Sequence, residues 1–296
     1  TYDITDYLNF NRENVIVVRV DATQYEGWFY EGAGIYRHVW LNKTNNLHFA
    51  EGGVFAYSTV TDKSATITVE TTVQNQNLAN ANCTVYTYLT DRNGKKITQS
   101  KEQALSLAVN AQGKLIHKIS VDNPRLWSLE DPYLYKLVAV IKSNGRVVET
   151  KRERIGIRSI RVDAKEGFFL NGKPIKLLGT NNHQDHAGLG SALPDYLQYY
   201  RIRLLKNMGS NAYRASHHAP TPELLDACDS VGMLVMSEQR LLNSSPEYIN
   251  QFTRLILRDR NHPSIFMWSI GNEEGWIQTT SVGKRIAQTL LAKQKE

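Results

Sequence analysis

Past residue 175 the chain repeats one unit four times, and this repetition constrains the fold more than anything else in it. Short apolar runs at 175–179, 211–215, 233–236 and 265–270 are each followed by a helix-forming segment, at 194–208, 222–231, 246–260 and 282–293. Proline stands at or just before the first turn of three of these segments, where its missing N–H costs nothing. Asp195 adds an acidic group to the first turn of one, the favourable end of the helix dipole. A helix between two strands carries the chain back to its starting side, so successive strands must pair in parallel. Four βα units in order therefore predict the first half of a (β/α)8 barrel. The last run, 264–270, is almost wholly apolar and reads as a strand buried on both faces.

A barrel of this kind collects its chemistry at the carboxyl ends of its strands. The polar residues at those points are Thr180, Asn181, Asn182, His183, Gln184, Asp185 and His186 after the first strand, and Arg214, His217 and His218 after the second. Ser237 and Glu238 follow the third, and Asn272, Glu273 and Glu274 the fourth. Imidazoles and amides hydrogen-bond hydroxyl-rich ligands in defined directions. A guanidinium such as that of Arg214 can hold a carboxylate in its ionised form. A carboxyl beside apolar surface loses hydration, which favours the protonated form that a general acid requires. The competing arrangement is a zinc site from His183, His186, His217 and Glu238. Its spacings match no zinc motif, so neither metal nor cofactor is expected.

Ahead of the barrel units the chain is β-rich. Runs at 65–73, 84–89, 115–121 and 134–141 have strand composition, with turn residues such as those at 91–94 and 143–145 between them. They predict one sandwich of immunoglobulin type over 46–155, with Trp127 as a core anchor. Residues 1–45 also read as strands, at 14–20 and 35–41, around an aromatic- and glycine-rich loop at 24–34. That loop could stack on sugar faces or simply form a rigid turn. With 41% apolar and 22% charged residues the composition is that of an ordinary globular protein. The net charge of +6 is spread along the chain, which argues against nucleic acid as a partner. No apolar window reaches the length of a membrane span. Cys83 and Cys228 fall in different predicted domains, so a disulfide between them is not expected. Neither compartment is selected, and because Thr1 opens inside a strand pattern the chain reads as a piece of a longer protein.

Two stretches carry a resemblance. Asp259 to Ser264 followed by Trp268-Ser-Ile-Gly-Asn-Glu273 is similar to the acid/base signature of glycoside hydrolase family 2, the β-galactosidase and β-glucuronidase family. Asn211-Ala-Tyr-Arg214 with His217, His218 and Pro220 resembles the family's other signature. The resemblance implies three domains: the end of a jelly-roll sugar-binding domain at 1–45, the sandwich at 46–155, and the N-terminal half of the TIM barrel at 156–296. It implies that Glu273 is the general acid/base, that Asn272 bonds the sugar 2-hydroxyl, that His183 and His217 contact sugar hydroxyls, and that Arg214 and Glu238 support them. A retaining exo-β-glycosidase follows, most simply a β-galactosidase acting on an oligosaccharide or glycoside, with β-glucuronidase as the rival and a homo-oligomer as one arrangement. Ser237 departs from the family pattern, which has Asp there. Retaining hydrolysis needs a second carboxyl roughly 5–5.5 Å from the first. Glu238 and Glu274 are near in sequence, yet neither holds the family's nucleophile position, so an isolated 296-residue piece is expected to be inactive.

Overall fold

The computed structural model describes residues 2–21, 23 and 34–295. Eight strands form the sandwich: β1 (Leu47–Val60), β2 (Ser64–Asn75), β3 (Ala81–Thr90), β4 (Lys96–Gln99), β5 (Gln103–Leu107), β6 (Gln112–Asp122), β7 (Tyr135–Ser143) and β8 (Arg146–Ile155). One sheet runs β1-β2-β6, and the other runs β4-β3-β7-β8 with β5 also on β3. Every second residue of β3 is buried, among them Cys83, Val85 and Leu89, as the pleat of a half-buried antiparallel strand requires. These side chains meet Ile67, Val69 and Val73 of β2 and Leu137 and Ile141 of β7 in one core. The sandwich expectation is met.

A small antiparallel sheet of β9 (Ile160–Asp163), β10 (Gly167–Leu170) and β11 (Lys173–Pro174) leads into the barrel units. These are β12 (Gly179–Asn182), α1 (Asp195–Asn207), β13 (Ala212–Ala215), α2 (Pro222–Val231), β14 (Leu234–Glu238), α3 (Pro246–Asp259) and β15 (Ile265–Ser269), then the short α4 (Gly275–Gln278) and α5 (Ser281–Lys295). The four strands lie in chain order and pair in parallel throughout. Tyr213, Val235 and Ile265 pack against the helices, whereas Ala212, Leu234 and Phe266 pack towards the β9–β11 hairpin. Among the described residues no helix is long and apolar enough to cross a membrane, and both cysteines are free and buried.

Trp127 is fully buried, but at the seam between sandwich and barrel and not in the sandwich core. Its indole N–H donates to Asp229 O of α2 at 2.8 Å, while Lys206 of α1 bonds both Leu129 O (2.8 Å) and Gly232 O (2.7 Å). The stretch 259–264 completes this seam. Asn261 accepts from Ala56 N and donates to Val54 O, Arg260 donates to Gly52 O over the Phe55 ring, and His262 pairs with Asp229 at 2.6 Å. Half of the presumed acid/base signature is thus a dock for the edge of β1.

Three expectations require correction. Residues 14–20 and 35–41 form no ladder, and Val15, Ile16, Val17, Val39 and Trp40 are exposed. Strand propensity gives no strand without a neighbouring strand to bond, and the described residues offer none there. The first barrel strand is β12 at Gly179–Asn182 and not 175–179. Ile175 instead bonds Phe168 O across the hairpin, and Leu177 and Leu178 are exposed at the sheet edge. Finally, β15 is not buried on both faces: Met267 is 39% exposed, and among the described residues β15 pairs with β14 alone, with a register shift at Phe266. The aromatic loop at 24–33 lies outside the described residues.

Candidate active site

Parallel register places the polar side chains. Asn181, Arg214 and Met236 are direct partners across β12, β13 and β14 and so share one face, and Glu238, two residues on, shares it too. Arg214 is the hub. Its Nε and Nη2 reach Glu238 Oε2 at 2.9 and 2.7 Å, and its Nη2 also donates to Asn272 Oδ1 at 3.0 Å. Asn181 Oδ1 lies 3.4 Å from Nη1. The other Glu238 oxygen meets His217 Nδ1 at 2.7 Å. Glu238 is 0% exposed and Arg214 27%. A carboxylate removed from water in this way persists only with its lone pairs satisfied, and the guanidinium fork and imidazole satisfy them. His183 sets its ring edge-to-face on His217, centroids 5.6 Å apart, and its carbonyl accepts from Arg201 of α1 at 2.6 Å. The peptide between Ser216 and His217 is cis.

On the fourth strand end, Asn272 is buried and Glu273 exposed. The expectation that the apolar strand would bury the Glu273 carboxyl is therefore not met, since the chain leaves β15 at Ser269 and the turn carries Glu273 outward. Its neighbour Glu274 is the buried acid. Glu274 Oε2 accepts from Asn272 N at 3.0 Å, and Gln278 of α4 bonds Asn272 O and reaches Glu274 Oε2 at 3.4 Å. These bonds fix the turn that holds Asn272 against Arg214 and presents Glu273 to solvent.

The structure thus brings together His183, Arg214, His217, Glu238 and Asn272, with Glu273 beside them. It does not assemble the zinc alternative: His186 turns its Nδ1 to Ala187 O at 3.0 Å, and both Glu238 oxygens are engaged. Among the described residues, ligand-type side chains lie mutually close in two other places, His38–Asp195–Glu223 and Asp226–Asp229–His262. The latter is the seam, where Arg154 and Ser264 N already bond the two aspartates. Ser237, the departure from the family pattern, is fully buried, and its hydroxyl has no partner among the described residues. His218 bonds Ser216 O, and burial pushes its pKa down to about 4 with Arg37 and Arg201 adding to the effect. Sequence reasoning gave no site role to Arg37, Arg201 or Gln278, none of which stands in a polar run at a strand end, whereas Asn181 belongs to the polar run after the first strand.

A β-sandwich locked to the opening half of a (β/α)8 barrel, with amide, imidazole, guanidinium and carboxyl groups convergent at the strands' carboxyl ends, defines a class of multidomain barrel proteins. Comparison with known proteins makes the assignment specific. Residues 48–158 match the profile of glycosyl hydrolases family 2, and residues 160–245 and 242–294 match that family's TIM barrel domain. The chain belongs to glycosyl hydrolases family 2. It is 38% identical over 292 residues to the β-galactosidase BoGH2A of Bacteroides ovatus, covering 93% of this chain and 34% of that protein. A β-glucuronidase of Formosa agariphila is 31% identical over 319 residues, covering 98% and 32%. The crystal structure of a family 2 member from Bacteroides cellulosilyticus superposes with a TM-score of 0.93 at 37% identity, over 99% of this chain and 41% of that one. The chain spans about a third of the length of these curated relatives.

Proposed function

We propose that the chain supplies the acid/base half of a retaining exo-β-glycosidase site, in a protein that hydrolyses terminal β-galactosides. The observation that carries this is the Arg214-centred network. One guanidinium fixes Glu238 and Asn272 together, so the amide has a single orientation beside the exposed Glu273 carboxyl. In this reading Asn272 and the His183–His217 pair bind sugar hydroxyls. Glu273 protonates the glycosidic oxygen as the bond to the anomeric carbon breaks, then takes a proton from the water that releases the covalent intermediate. Neither Glu238 nor Glu274 suits the nucleophile's part, because Glu238 is sealed between Arg214 and His217 and Glu274 is bonded to Asn272 N and Gln278. The second carboxyl must come from elsewhere in the whole protein, and the 296-residue chain alone is expected to be inactive.

The preference for galactose rests on the β-galactosidase of B. ovatus, whose identity to this chain exceeds that of the F. agariphila β-glucuronidase. β-Glucuronidase remains the second reading for the same reason of kinship. The test is hydrolysis of paired aryl β-galactoside and β-glucuronide by the whole protein and its Glu273→Gln variant. Loss of at least about 100-fold in kcat is expected, the scale of a general acid's contribution. Unchanged turnover would remove Glu273 from the role, and turnover of the glucuronide alone would select the second reading.

A further inference from the structure

We propose that the dipeptide Arg37-His38 is a cross-brace that sets the two histidine-bearing loops of the site, with Arg37 a positioning residue for His183 and His217; this rests on the reading of those histidines as sugar-contacting groups. The geometry is specific to these two side chains. Arg37 Nη2 donates to Gln184 Oε1 at 3.2 Å, in the loop after β12, and to Ala219 O at 2.7 Å, in the loop after β13. Gln184 adjoins His183, and Ala219 lies two residues past His217. His38 Nε2 meets Asp195 Oδ1 at 2.7 Å on the first residue of α1, and lies 3.9 Å from Glu223 Oε1 in the first turn of α2. Two consecutive residues from a segment some 150 positions upstream therefore touch the loop and the helix start of both the first and second βα units.

The first loop is also held by Arg201, which donates to His183 O at 2.6 Å and Gln184 O at 3.1 Å. Gln184 is thus bonded through its main chain to the barrel and through its side chain to Arg37. Taking a guanidinium partly out of water is costly unless acceptors replace its hydration. For Arg37 the acceptors of Nη2 belong to the two loops, while its buried Nε has no partner among the described residues. Removing it releases both, and the edge-to-face contact of His183 on His217 then loses its outer constraint.

The 296-residue chain has eight histidines, two of which report from outside the site: His117, buried in the sandwich, and His262, in the seam. In nitrogen-15 spectra of the imidazoles, Arg37→Ala is expected to shift the ring resonances of His183 and His217 and to leave those of His117 and His262 in place. Arg37→Lys, which keeps the charge but lacks the fork, should give an intermediate shift. Unmoved His183 and His217 resonances would overturn the proposal, and so would an equal displacement of all four, which would mark a general loosening. Should Arg37→Ala fail to fold, Gln184→Ala removes only the 3.2 Å bond and must shift His183 without His117. No turnover is measured, so failure of the glycosidase reading would leave this result intact.

Discussion

Arg214 and Glu238 differ in what each leaves behind when the other is removed. Arg214→Met leaves a fully buried carboxylate with His217 as its one partner among the described residues, and the expected loss is about 3–5 kcal/mol in chemical unfolding. Glu238→Gln leaves a partly exposed guanidinium that water can still reach, so a smaller loss is expected in the same experiment. Equal losses would contradict the account of the pair. Ser237→Ala should be within about 1 kcal/mol of neutral and could stabilise, because the buried hydroxyl it removes has no partner among the described residues. A large loss would reveal a bond outside those residues. At this scale the sequence named the convergent residues, because strand ends are readable and each carried a distinctive polar group. Which acid was buried was not readable: Glu273 and Glu274 are neighbours, and only the turn stitched by Gln278 decides that the second goes inward.

Among the elements, helices were the most legible. The 222–231 segment folds as α2 (Pro222–Val231), because Pro222 stands in its first turn, the Thr221 hydroxyl accepts from Leu224 N, and Gly232 ends it at φ 77°. Gly232 also sits where a methyl group would meet Leu129 O at 2.4 Å. Gly232→Ala therefore combines an unfavourable left-handed backbone with a backbone clash, and a loss of at least about 1–3 kcal/mol in thermal unfolding is expected. A neutral outcome would mean that the Leu129 loop yields freely. Strands were less legible. A run such as 175–179 is apolar enough for a strand, but its first residue bonds the preceding hairpin, and the parallel ladder begins only at Gly179, whose lack of Cβ allows approach to Ala212 O. The β-branched residues of 14–20 likewise have propensity without a strand partner among the described residues.

Across the whole molecule, two histidines set opposing pH limits. Burial alone would lower the pKa of His262, but Asp229, with Asp259 and Asp226 nearby, raises it above the ordinary value. The folded state therefore holds this proton more tightly than the unfolded one. Its stabilisation is fully present below about pH 6.5 and is lost as pH rises through the folded pKa. His218, pushed down to about 4, works in reverse: between about 4 and 6.5 the unfolded chain binds more protons, so stability falls as the solution is acidified through that window. Melting temperature against pH should accordingly decline more gently on the alkaline side in His262→Gln and on the acid side in His218→Asn. Profiles parallel to that of the unchanged chain would refute both assignments.

The seam between sandwich and barrel has a further consequence for the order in which the chain can become native. Its bonds join residues far apart in sequence: Ala56 to Asn261 across 205 positions, Val54 to Asn261 across 207, and Trp127 to Asp229 across 102. Closing such loops costs entropy before any contact is gained, and folds rich in distant pairs form slowly. During vectorial synthesis the sandwich can condense as soon as its own strands have emerged, whereas its dock on the barrel must wait until residue 264 has left the ribosome. Over that interval the rim of β1 and the face of Trp127 stay uncovered, and they are the surfaces a chaperone would be expected to shield.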